Sequence, residues 1–152
     1  MIQLRFVTCN DPVSASIRLG EYGFWASHVE AVMPDGTLLG AHYDGGVQAR
    51  PKGYDAATVE RERIVDLPCD DATEQKFLAF LRDQLGKPYD LRAIVALVAE
   101  RDWRQPDSWF CSELQAAALE ACGWMPKLAD NVSKITPRDL LLIVSARIPL
   151  AA

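Results

Sequence analysis

The chain has 152 residues, 49% of them hydrophobic and 24% charged, which suits one globular domain around one hydrophobic core and excludes a disordered or fibrous chain. Its 16 basic and 21 acidic residues give a formal charge of -5 at pH 7 and are mixed along the sequence, so no basic surface for a phosphate backbone is evident and nucleic acid is not an expected partner. The longest apolar run, Ala93 to Ala99, falls far short of the roughly 20 residues that cross a bilayer, and no membrane span is expected.

Met1 to Asp11 carry no basic region followed by a long apolar core, so a cytoplasmic location is expected, with signal-independent release as the alternative. Ile2 to Thr8 reads as a short strand. Asp11 can cap a helical turn that begins at Pro12 and runs towards Leu19, where Gly20 and Gly23 break it. His28 to Met33 reads as a strand, Pro34-Asp35-Gly36 reverses the chain, and Thr37 to Tyr43 returns. After Asp44-Gly45-Gly46 comes a polar loop through Arg50-Pro51-Lys52-Gly53, then a further strand at Arg63 to Leu67.

Asp71 and Glu74 have capping-box spacing, and Phe77, Leu78, Leu81 and Leu85 recur on one helical face until Gly86 and Pro88 end it. A more apolar helix is expected over Leu91 to Glu100, with Ile94, Leu97 and Val98 on one stripe. Another starts near Ser108 to Cys111 and ends at Gly123, and its alanines allow close approach to a sheet. Thr136-Pro137-Arg138-Asp139 looks like a helix start, yet Leu140 to Ile148 is rich in β-branched residues, so a turn leading into a final strand competes with a helix there. These elements predict a single α+β domain over residues 1–152. Its sheet is expected to be antiparallel and partly barrel-like, with the Cys111 helix packed against it and the other helices outside.

The four cysteines, Cys9, Cys69, Cys111 and Cys122, lack the paired spacing of a zinc knuckle or redox motif and read as free thiols. Cys111 differs from the others in its setting, the opening turn of a helix, where unpartnered amides and the helix dipole favour a thiolate. The alternative is a small buried hydrophobe beside Trp109 and Phe110. The chain has two histidines, His28 and His42, almost equidistant from Asp35 at the tip of the hairpin, which brings them opposite each other on antiparallel strands. A catalytic base needs a third group to fix its tautomer. His42 is the candidate for that role towards His28, and Glu30, two residues along the same strand face, is its competitor.

Ser27-His28-Val29, His42 on the next strand, Gly45-Gly46-Val47, Pro88-Tyr89-Asp90 and Phe110-Cys111-Ser112-Glu113-Leu114 together resemble the circularly permuted NlpC-type papain-like cysteine hydrolases, over roughly residues 25 to 122. In that family the histidine strand precedes the cysteine helix, and a polar residue on the following strand completes the triad. The resemblance implies Cys111 as nucleophile, His28 as base and His42 as third member, with Tyr89 as a site tyrosine. Tyr89 and Ser112 are candidates to contact substrate or oxyanion. Glu30 departs from the pattern, in which a small residue is favoured. The implied activity is hydrolysis of an amide bond in a peptide or acyl-amide substrate, cell-wall peptides included, without a cofactor. The alternatives are lipid acyl hydrolysis or transfer, a noncatalytic binding module on the same fold, and a metal site built from His28, His42 and Cys111.

Overall fold

The computed structural model describes residues 1–90, 108–129 and 135–148. In chain order these form β1 (Ile2–Cys9), α1 (Pro12–Gly20), β2 (His28–Val32), β3 (Leu38–His42), β4 (Gly46–Arg50), β5 (Val59–Leu67), α2 (Asp71–Asp83), α3 (Cys111–Ala121) and α4 (Pro137–Arg147). The helix expected over Leu91 to Glu100 lies outside the described residues.

The strands make one antiparallel sheet in the order β4-β3-β2-β1-β5. The sheet is open, not barrel-like, because β4 and β5 remain at opposite edges without pairing. Both edges explain what the sequence pattern concealed. β4 was expected as loop, but an edge strand buried on one side tolerates polar residues such as Gln48 and Arg50. β5 begins at Val59, four residues earlier than the apolar alternation suggested, since Glu60 to Arg63 face solvent while pairing with β1.

The register sorts side chains onto two faces. Leu4 opposes Ala31 and Phe6 opposes Val29 on β1 and β2, and Ala31 opposes Leu39 on β3. These residues join the core with Phe77, Leu78 and Leu81 of α2 and Leu114, Ala118 and Leu119 of α3. α3 packs against α2, β2 and β3. Residues one step out of phase lie on the other face, where Arg5 opposes Glu30 and Val7 opposes His28.

The helix starts are fixed by side-chain caps. Asp11 accepts from the Ser14 N–H at 2.9 Å. For α2 the cap is Asp70, not Asp71; it accepts from the Thr73 N–H at 2.7 Å and leaves Asp71 and Glu74 in the first turn. At the C-terminal end a helix forms instead of a strand. Thr136 and Asp139 exchange backbone-to-side-chain bonds in a capping box, and Leu140, Leu141 and Val144 are buried along the helix. Capping and burial outweigh the β-propensity of Ile143 and Val144.

Gly46 joins β4 to the segment that carries Tyr89. Its φ is +74°, and a Cβ there would lie 2.2 Å from the Lys87 carbonyl oxygen, which accepts from the Val47 N–H at 2.8 Å. Only glycine allows that approach.

Candidate active site

Cys111 is the first residue of α3. Phe110 before it has extended backbone and no side-chain acceptor, so no side chain caps the first-turn amides. Glu113 reaches back to accept from the Phe110 N–H at 3.1 Å. The amides and helix dipole therefore favour negative charge at this end. The thiol is fully buried and lies against His28, the first residue of β2.

His28 and His42 are neighbours, with ring centroids 4.9 Å apart and planes inclined at 41°. They do not point at each other. Both turn Nε2 towards one carboxylate oxygen, Glu30 Oε2, at 3.5 Å from His28 and 3.7 Å from His42. Neither Nε2 has a hydrogen-bond partner among the described residues, and both atoms are buried.

Glu30 is completely buried and held from behind. Its Oε1 accepts from Arg5 Nη1 at 2.6 Å, and Tyr54 donates to Oε2 at 3.2 Å. Arg5 also donates to both Asp55 oxygens, at 2.9 and 3.2 Å, and to Glu62 at 2.8 Å. Space for this cluster comes from Gly40. A Cβ there would lie 3.0 Å from Glu30 Cβ and 3.5 Å from each histidine Nε2.

The cluster separates the two imidazoles in basicity. For His28, burial disfavours the charged ring, but the contact with Cys111 and the charges of Cys111 and Glu30 outweigh it, so its pKa rises to about 10. For Glu30, burial acts against ionisation, and the neighbouring His28, Arg5 and His42 overcome it to hold the carboxyl at about 2. His42 is pushed down to about 3 by burial and then by the positive charges of His28 and Arg50. At neutral pH the site thus holds a His28 imidazolium, a Glu30 carboxylate and a neutral His42.

Tyr89 follows α2, pairs its backbone with Trp109 and stacks its ring 5.8 Å from Phe110. Burial and then the negative charges of Cys111, Glu113 and Asp90 raise its pKa well above the usual value, so the phenol remains a proton donor. Ser112 is brought to the same helix start, but its hydroxyl donates to the Ile135 carbonyl at 2.6 Å. All four cysteines are free thiols.

A cavity of about 220 Å³ opens beside the histidines, lined by His28, His42, Arg50, Tyr54, Asp55 and Tyr89 among others. Cys111 does not line it. Reading the sequence missed Arg5, Gly40, Tyr54, Asp55 and Glu62 as members of this site. The one local signal was Arg5, the single charged residue of a mostly apolar strand.

No helix among the described residues is long and apolar enough to cross a membrane. No protein-family model matches the sequence, and a search of curated proteins finds none similar to it.

Proposed function

We propose that the protein is a cysteine hydrolase acting on an amide bond, with Cys111 as nucleophile, His28 as acid and base, and Glu30 as the residue that positions His28. The observation that carries this reading is the contact of Cys111, at the uncapped start of α3, with a buried His28 that Cys111 and then Glu30 hold charged. A thiolate and imidazolium side by side are the resting state that thiol nucleophiles require. The order of elements, histidine strand before cysteine helix, agrees with a permuted papain-like arrangement.

In the proposed reaction the Cys111 sulfur adds to the substrate carbonyl carbon, and the oxygen becomes an oxyanion. In this reading the first-turn amides and the Tyr89 phenol donate to it. His28 Nε2 is turned towards the Glu30 charge at 3.5 Å, and in the proposed reaction Nδ1 serves the sulfur and the leaving amine. As the C–N bond breaks, the imidazolium protonates the amine, and a thioester remains. Neutral His28 then takes a proton from water, the hydroxide adds to the thioester, and the C–S bond breaks to return the thiolate and release the acid. Cys111 is buried, and the cavity reaches His28 and Tyr89 without being lined by the thiol itself.

The test is trapping with a peptidyl vinyl sulfone, an electrophilic mimic of an acyl-amide substrate, and mass spectrometry of the adduct. The expected product carries one label on Cys111, lost in Cys111→Ala and formed more slowly in His28→Ala. Labelling confined to Cys9 or Cys69, or none at all, would contradict the reading and favour a noncatalytic module.

A further inference from the structure

We infer that His28, Glu30 and His42 form a binding site for one divalent transition-metal cation of the zinc class, and that its occupation is mutually exclusive with His28 acting as the base of Cys111.

The donor set is two imidazoles and a carboxylate, ligands suited to such a cation. The three donor atoms all lie within 4.8 Å of one another. Donors about 2.0 to 2.1 Å from a tetrahedral zinc ion are roughly 3.3 Å apart. The two histidine-to-glutamate separations, 3.5 and 3.7 Å, exceed this by a few tenths of an ångström, and the edge between the two imidazoles, within 4.8 Å, is the one that must shorten most as the rings turn onto the ion.

Independent observations point to a ligand at this place. The side chain of His42 is 5% exposed, yet its Nε2 is unpartnered among the described residues and aimed at the same oxygen as the unpartnered Nε2 of His28. Buried polar atoms left in that state are costly unless something joins them. Gly40 keeps the space between both nitrogens free of a Cβ. Acidic groups outnumber basic ones here: three carboxylates, Glu30, Asp55 and Glu62, share the Arg5 guanidinium, with Arg50 as the second positive side chain near His42. Arg5 and Tyr54 orient Glu30 as second partners of a metal ligand do. The cavity beside His28, His42 and Tyr54 supplies a route in.

The donor set differs from one containing Cys111, since Glu30 takes the place of the thiol. A metal on His28 Nε2 fixes the proton on Nδ1, as in other metal-bound imidazoles, so the ring can no longer give that proton to a leaving amine and take one back from water beside Cys111. The exclusion rests on the hydrolase reading, whereas the binding site does not.

The experiment titrates the full-length chain with Co²⁺ as a spectroscopic probe and Zn²⁺ as a competitor. One equivalent of Co²⁺ is expected to bind in the micromolar range with visible ligand-field bands, without a thiolate charge-transfer band. Binding should weaken at least about tenfold in His42→Asn and in Glu30→Gln, consistent with the loss that even supporting groups of a metal site cause, and persist in Cys111→Ala. Circular dichroism identifies any variant that fails to fold, and zinc-edge absorption of the unaltered protein, expected to give nitrogen and oxygen neighbours only, provides a test that needs no variant. No Co²⁺ bound below millimolar concentrations, equal binding by folded His42→Asn, or a sulfur neighbour would overturn the site. Zinc should also slow alkylation of Cys111 by at least about 10²-fold, the low side of what a positioned base contributes. Metal bound without that slowing overturns the exclusion, while slow alkylation already present in the metal-free protein counts against the hydrolase reading.

Discussion

Glu30 Oε2 lies 3.5 Å from His28 Nε2, with the opposite oxygen of the same carboxylate on Arg5. The hairpin thus supplies both the histidine and its counter-ion from one strand, two residues apart. His42, opposite on β3, contributes a neutral ring. Replacing Glu30 by Gln keeps the shape and removes the charge. The His28 pKa should fall from about 10, and the Cys111 alkylation profile against pH should shift in parallel. Glu30→Ala should additionally cost about 1 to 3 kcal/mol of stability, because the buried Arg5 loses one hydrogen-bond partner while keeping Asp55 and Glu62. Denaturant titration separates the two effects.

Stability should peak near pH 6.5 in metal-free buffer. His28 has a folded pKa raised from 6.5 to about 10, so its contribution is complete below 6.5 and is lost as pH rises towards 10. His42 is depressed from 6.5 to about 3, so the folded state resists a proton that the unfolded chain accepts, and stability is lost as pH falls below 6.5. Glu30, depressed from 4.5 to about 2, adds a further loss below 4.5. Urea midpoints across this range should trace the peak. His42→Asn should flatten the limb between 4.5 and 6.5 and leave the alkaline limb in place.

Much of this arrangement was legible because it is local. Asp35 is the midpoint between His28 and His42, and the turn there is held by the Thr37 N–H and hydroxyl donating to its carboxylate at 2.9 and 2.7 Å, so pairing follows from counting residues. The start of α3 at Cys111 was legible from its apolar face. The role of Arg5 was not, because it lies 25 residues from Glu30 and meets it only through the β1–β2 register. The turn of both rings onto Glu30 was hidden for a related reason. It depends on the missing Cβ of Gly40 across the strand, which periodicity does not report. At α4 the helix-start signal of Thr136 to Asp139 competed with β-branched residues that suit a strand, and the Thr136 cap forms.

Gly40→Ala should disturb the site without touching Cys111. The added methyl would stand 3.0 Å from Glu30 Cβ, closer than a packed core accepts, and the strand or the rings must shift. A loss of roughly 1 to 3 kcal/mol is expected, together with slower Cys111 alkylation in the protein that still folds. Unchanged stability and rate would mean that the three side chains are not packed as described.

Tyr89→Phe should separate oxyanion binding from thiol activation. The ring that stacks on Phe110 remains, so alkylation of Cys111 should be unaltered. Acylation by a p-nitrophenyl ester should slow by about 10²-fold, the range found when one oxyanion donor is removed. Burst kinetics read the acylation step directly.

The central claim is that His28 activates Cys111, and the residue-resolved rate of alkylation by iodoacetamide near neutral pH tests it most directly. In the metal-free folded protein Cys111 should react faster than a free model thiol and faster than Cys9, Cys69 and Cys122. His28→Ala should abolish that advantage and leave the other three rates nearly unchanged. If Cys111 reacts no faster than the model thiol and the His28→Ala rate is the same, then Cys111 is a buried core residue and the account is wrong.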